Sequence, residues 1–210
     1  MDLRVNRVEA PDEPSASPNE EERHVTPLKC AAAGLAAVLG LAAAGAAAAQ
    51  ASDPAFAAFH DACMATGAEP AAVTTFTTSH DWKASDVAGT PISGFAVDNK
   101  VSKSTRAGDA ELKLFAWHGT KGAIQADECQ ISVSKADFAA VRSAVAASVG
   151  FAAQQDSAEK AVFQFSGSAS APKPVDNSGF DQAAGSGGLN LLTVSKQGSG
   201  AFLELLRIRR

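Results

Sequence analysis

Residues 110–150 constrain the fold more than any other stretch of this chain. Residues 111–118 read as a strand, Gly119-Thr120-Lys121-Gly122 as a tight turn, and the run ending at Val133 as a second strand. In the second strand Cys129, Ile131 and Val133 point one way while Glu128, Gln130 and Ser132 point the other. That two-residue period belongs to a strand with one buried face. Ser134-Lys135-Ala136-Asp137 then resembles a capping box, with Asp in place of the usual Glu or Gln. Phe138, Val141, Val145 and Val149 follow at spacings of three and four, and Gly150 stands where a helix-ending glycine belongs. The unit has one core face, which carries Cys129, and a helix (137–149) to cover a sheet face.

The apolar run 30–49 follows Lys29 and ends in Ala49-Gln50-Ala51-Ser52. Small residues at the last and third-last positions are what a signal peptidase accepts, so cleavage is predicted after Ala51. The run is about as long as a bilayer core is thick, but it is mostly Ala and Gly, and no Lys or Arg follows closely. Contact with a membrane is therefore expected only through this segment, before cleavage. Cys30 precedes the run instead of closing it, which argues against a lipoprotein. Residues 1–29, with Glu20-Glu21-Glu22 and several prolines, read as a disordered leader or a misassigned start. Translation from Val25 would leave a short basic leader of ordinary form.

Of the 18 basic and 23 acidic residues, 4 and 7 lie in residues 1–51, which leaves 14 and 16 in the remainder. The exported body is thus near neutral, with no basic block for phosphates or anionic lipid, and nucleic acid binding is not expected. Residues 52–210, about 160 in all, suffice for one domain with a real core. Once Cys30 is removed, Cys63 and Cys129 are the two cysteines left. In an oxidising compartment such a pair reads as one disulfide, with two separate buried thiols as the alternative.

Asp53-Pro54 starts a helix that puts Phe56, Phe59 and Cys63 on one face and ends at Gly67. Pro70 opens a second helix with Val73 and Phe76, ending near His80-Asp81-Trp82. A disulfide would staple the first helix onto the sheet. Further on, 92–97 reads as a strand, 98–100 as a turn and 101–105 as a polar edge strand. Ile124 and Ala126 fall out of phase with Cys129, which a bulge near Asp127 or a strand that starts later would explain. Residues 161–166 form another strand. The Gly-, Ser-, Ala- and Pro-rich segment 167–188 reads as a flexible loop anchored by Phe180. Runs 189–196 and 201–208 are strands around the turn 197–200, and Arg207, Arg209 and Arg210 read as a solvated end.

The series Phe59-His60-Asp61-Ala62-Cys63, Thr66-Gly67, Pro70, Val73 and Asp81-Trp82 resembles a type of small secreted proteobacterial protein. In that type a Cys-bearing N-terminal helix is followed by a Gly-Trp or Asp-Trp step and a second cysteine in a Cys-x-Val-like strand. Here the strand is Cys129-Gln130-Ile131-Ser132-Val133. The resemblance covers the front half of residues 52–210. It implies a secreted α+β protein and transfers no active site.

Motifs for chemistry are sparse. His60-Asp61 and His80-Asp81 pair an imidazole with a carboxylate in sequence, but neighbours on a helix point apart. No Gly-x-Ser-x-Gly elbow, Cys-x-x-Cys or phosphate-cradling glycine loop is present. A metal site from His60, Cys63, His80 and Asp81 would compete with the disulfide for Cys63, so neither a metal nor another cofactor is expected. Trp82 and Trp117 read as core residues, or as a ligand platform if both are exposed on one side.

Together these readings predict an α+β fold. An antiparallel sheet of about five or six strands would carry two short N-terminal helices and one packing helix. The function they favour is an exported non-catalytic periplasmic module that binds an envelope protein or small ligand, with Trp82, Trp117, His60 and His80 as candidate contacts. The alternative is a small periplasmic hydrolase with His60 or His80 as general base.

Overall fold

Asp53 caps the first described helix. Its Oδ1 accepts the backbone N–H groups of Ala55 and Phe56 at 2.9 and 3.2 Å, and Pro54 fills the first helical position. The computed structural model describes residues 53–210 apart from Ala88. The leader 1–29, the apolar run 30–51 and the cleavage after Ala51 lie outside the described residues. Helix α1 (Pro54–Phe59) passes straight into a π-helical turn, His60–Met64. Then come α2 (Pro70–Ser79), β1 (Lys83–Ala84), β2 (Ala96–Ala107), β3 (Ala110–Lys121), β4 (Ile124–Val133) and α3 (Phe138–Val149). The chain ends with β5 (Gln155–Asp156), β6 (Lys160–Ser166), β7 (Lys173–Pro174), α4 (Phe180–Gly185), β8 (Leu189–Gln197) and β9 (Gly200–Arg209).

The strands form one sheet in the order β1-β2-β3-β4-β9-β8-β6-β5, with β7 also on β6, and every pairing is antiparallel. Alternation then sorts the side chains onto two faces. Leu112, Leu114, Ala116, Cys129, Ile131, Leu203, Leu205, Leu192 and Val194 share one face with residues of α1, the π turn and α3 in the main core. The other face carries Phe115, Trp117, Ala126 and Leu206, with Val87 and Phe95 packed against them. Near its far end α4 covers Leu189, Leu191 and Ile208. Cys63 and Cys129 form a disulfide across 66 positions of chain, with Cα atoms 5.4 Å apart, so the helical front is bonded to the centre of the sheet.

The α+β architecture matches the sequence reading, and several finer expectations are corrected. The sheet has nine strands instead of five or six, three of them only two residues long. Such short edge strands leave almost no apolar alternation to read. The first of the two expected N-terminal helices is six residues of α-helix continued as a π turn. The expected turn at 119–122 is mostly strand, because β3 and β4 stay paired out to Lys121 and Ile124.

No bulge interrupts the β3–β4 register either. Ile124 and Ala126 lie in phase with Glu128 because the second face is itself partly buried. In place of the expected strand–turn–strand over 92–105, residues 92–95 are turn and loop, and β2 runs unbroken from Ala96 with a register shift between Val97 and Asn99. Segment 167–188 holds β7 and α4, and Phe180 anchors it as expected. The helix cap is Asp137 itself, whose Oδ1 accepts from Ala139 and Ala140 N–H, while Ser134 Oγ accepts the Glu111 N–H. Among the described residues no helix is long and apolar enough to cross a membrane.

Candidate functional site

The sheet register assembles a polar row that no short motif announces. His118 on β3 faces Asp127 on β4, Asp127 faces Arg207 on β9, and Arg207 faces Asn190 on β8. The preceding row on the same face is Ala116, Cys129, Leu205 and Leu192, all in the main core. One step of two residues along four strands therefore leads from the disulfide to a band of charge. The π turn and the start of α2 lie against that band, so it forms a seam between the helical front and one end of the sheet.

Asp127 is the hub of the seam. Its side chain is 2% exposed. Oδ1 meets His118 Nδ1 at 2.6 Å, and Oδ2 accepts from Arg209 Nη2. A buried carboxylate needs such partners, since its desolvation cost is otherwise uncompensated. The His118–Asp127–Arg209 group opens on a cleft of about 410 Å³ that Glu69, Asp98 and Asn99 also line. Arg210, one residue past β9, pairs with Asp181 of α4 at 3.0 Å. Arg209 thus holds a buried partner, while Arg210 stays exposed, as expected of a solvated end.

Arg207 is the exception. It has no acidic partner within 4.0 Å among the described residues, and its buried Nε has no hydrogen-bond partner. It lines a cavity of about 480 Å³ between the π turn, the loop after β6, and strands β8 and β9. Two glycines with left-handed backbone make room for it. A Cβ on Gly67 (φ 66°) would lie 3.2 Å from Arg207 Nη1, and one on Gly188 (φ 111°) 3.3 Å from Nε.

The opposite face holds a second unusual group. Glu128 is 1% exposed although it belongs to the set expected to face water. Its Oε1 accepts from the Gln130 amide, while Oε2 and the cross-strand Trp117 Nε1 lack partners. Burial, reinforced by the nearby Glu204 carboxylate, pushes the Glu128 carboxyl up to about 8, against a smaller opposing pull from Trp117. Glu204 is raised as well, chiefly by its own burial. Glu128 lies between Trp117 and Leu206 in the register, and Glu204 between Gln130 and Thr193.

The candidates named from sequence are placed as follows. His60 Nδ1 reaches Asp61 Oδ1 at 2.9 Å, so these helix neighbours do meet, contrary to the expectation that they point apart. The π turn, with its wider winding, begins at this residue. His80 ends α2, where its Nδ1 and the Ser79 hydroxyl both donate to the Phe76 carbonyl at 2.8 Å, and its ring stacks on Phe76. Trp82 and Trp117 make no shared platform. Both are buried, Trp82 in the main core and Trp117 on the far face of the sheet.

The structure pairs Cys63 with Cys129, and no group of three or more metal-ligating side chains occurs among the described residues. No sequence motif groups His118, Asp127, Arg207 and Asn190. Their one signal is phase, since Asp127 is two residues before Cys129 and Arg207 two after Leu205. Searches of protein-family models, curated proteins and solved structures find no match to this chain.

Proposed function

We propose that the body is an exported, non-catalytic binding module, and that it takes a small envelope ligand at the seam between its helical front and the polar end of the sheet. The observation that carries this reading is Arg207, a cation with no acidic partner within 4.0 Å among the described residues, on the wall of a cavity of about 480 Å³. Partly buried charge without a partner is costly to keep, and binding sites are where proteins keep it. The disulfide supports export, because such bonds persist in oxidising compartments. The test is an amide-resolved NMR spectrum of chain 52–210, recorded with the low-molecular-weight fraction of an envelope extract. Shifts grouped at Thr66, Gly67, Gly167, Ser168 and Asn190 are expected. A spectrum that moves nowhere, or only on the far sheet face, would count against the seam.

A second reading, the small hydrolase, is favoured by a different histidine from the two named by sequence. His118 is held by a buried carboxylate from another strand, the arrangement that orients an imidazole as a base. His60 and His80 engage groups on their own helices. Esterase assays with p-nitrophenyl acetate on the wild type and His118→Ala separate the two classes. A rate above buffer that vanishes in the variant would establish the hydrolase, and equal background rates would leave the binding module.

A further inference from the structure

We infer that the ligand of the seam is a small organic carboxylate with an apolar body, seated with its carboxylate on Arg207. The inference deepens the binding reading above and rests on it. Three observations combine.

The first is charge accounting at this end of the sheet. Asp127 is already engaged by His118 and Arg209, and Asp181 by Arg210, so Arg207 is left over although Asp127 is its own cross-strand neighbour. A guanidinium presents a planar fork of N–H donors that matches two carboxylate oxygens at once, and an anion here would supply the missing acceptor.

The second is the shape of the space around that fork. Gly67 and Gly188 both approach the guanidinium so closely that a methyl group at either position would press on it. Their left-handed backbone is a conformation that L side chains rarely adopt. The guanidinium therefore lies close to backbone at both Gly67 and Gly188, and the same side chain lines the cavity.

The third is the composition of the walls. Asn190, Thr66 and Ser168 line it with polar groups, and Met64, Phe165 and Leu205 line it with carbon. At about 480 Å³ the space lies within the range of small-molecule pockets, far larger than a bare carboxylate or phosphate requires. Part of the occupant must then be something the walls do not hydrogen-bond. A lining that mixes one guanidinium with carbon describes an organic acid better than an inorganic oxyanion. Asn190 spends its amide N–H groups on the Phe165 and Gly167 carbonyls, which leaves its carbonyl oxygen as an acceptor. Through that acceptor the site tolerates a hydroxyl or amide on the ligand body.

Calorimetric titration of the disulfide-intact chain 52–210 with hexanoate, hexanamide and inorganic phosphate tests the inference. Hexanoate is expected to bind saturably. Hexanamide, the same shape without the charge, is expected to bind at least about tenfold more weakly, the usual worth of a charge-assisted hydrogen-bonded pair. Phosphate, which leaves the apolar wall empty, should also be weaker than hexanoate. Arg207→Gln should lower hexanoate affinity to the level of hexanamide. Should that variant unfold by circular dichroism, the hexanoate–hexanamide ratio on the wild type decides alone.

Equal affinity for the acid and its amide, tighter binding of phosphate, or no saturable binding of hexanoate would each overturn the carboxylate assignment. Neutral compounds that still shifted the Thr66, Gly67 and Asn190 amides would leave the binding module standing with a different ligand class. Silence from both the acid series and the envelope extract would remove both.

Discussion

Replacing Glu128 with Gln should stabilise this protein, and the size of the gain should depend on pH. In the folded chain the carboxyl titrates at about 8, against an ordinary value of 4.5. An acid raised on folding is held in its neutral form by the native state, so the folded chain binds more protons than the unfolded chain between those two values. Stability from this group is accordingly highest below about 4.5, falls through that window, and stays at its lowest above about 8. A gap of this size converts to a ceiling of about 5 kcal/mol. Relaxation around the ionised group brings the expected effect to about 2–3 kcal/mol.

Gln keeps the shape and the acceptor that Gln130 uses but carries no charge. Urea unfolding at pH 4.5, 6.5 and 8.5, followed by the fluorescence of Trp82 and Trp117, gives the comparison directly. Glu128→Gln should match the wild type at pH 4.5 and exceed it by about 2–3 kcal/mol at pH 8.5. The lowered carboxyls of Asp109, held by Lys135, and Asp176, held by Ser178, act in the opposite direction. They are common to both chains and cancel in the difference. A variant less stable than the wild type at pH 8.5, or an offset that does not change with pH, would refute the buried-acid reasoning.

Removing the disulfide as Cys63→Ala with Cys129→Ala should cost about 3–4 kcal/mol by the closure of so long a loop, read as a drop in the urea midpoint. Asp127→Asn strips the shared partner from His118 and Arg209 and should lower stability by about 2–3 kcal/mol in the same assay. Gly200→Ala places a Cβ 1.8 Å from the Val133 carbonyl oxygen, and the β9 backbone must move to admit it. A loss of about 3 kcal/mol or more is expected, seen as reduced yield and a lowered Tm.

What could be read from the sequence was whatever follows from a single strong period. The 137–149 helix, the β3–β4 hairpin and the inward-facing Cys129 all rest on apolar residues recurring at three and four or at two, and the structure keeps them. Where both faces of the sheet are partly buried, period two loses its meaning. Ile124 and Ala126 then look like a slip, and Glu128 looks solvated when it is enclosed. Short elements held by tertiary contacts escape for the same reason. β1, β5 and β7 are two residues each, and α4 lies in a segment whose composition is that of a loop.

The seam was hidden more deeply. His118, Asp127, Arg207 and Asn190 come from four strands spread over most of the body, and only the sheet order brings them into line. Two of the candidates sequence favoured, His60 and His80, had conspicuous carboxylate neighbours in the chain. His60 meets its Asp61 neighbour at the surface of the π turn, whereas His80 turns to the Phe76 carbonyl of its own helix.

The seam and its cavity lie between the sheet and a helical front that the Cys63–Cys129 bond joins to it, and the proposed export is what would let that bond form. Mass spectrometry of unreduced peptides from the protein isolated in its native host measures this directly. A single linked fragment joining Cys63 to Cys129, with an N-terminus at Ser52, is the expected result. Two free thiols, or a mature chain that still carries the alanine-rich run 30–51, would contradict it.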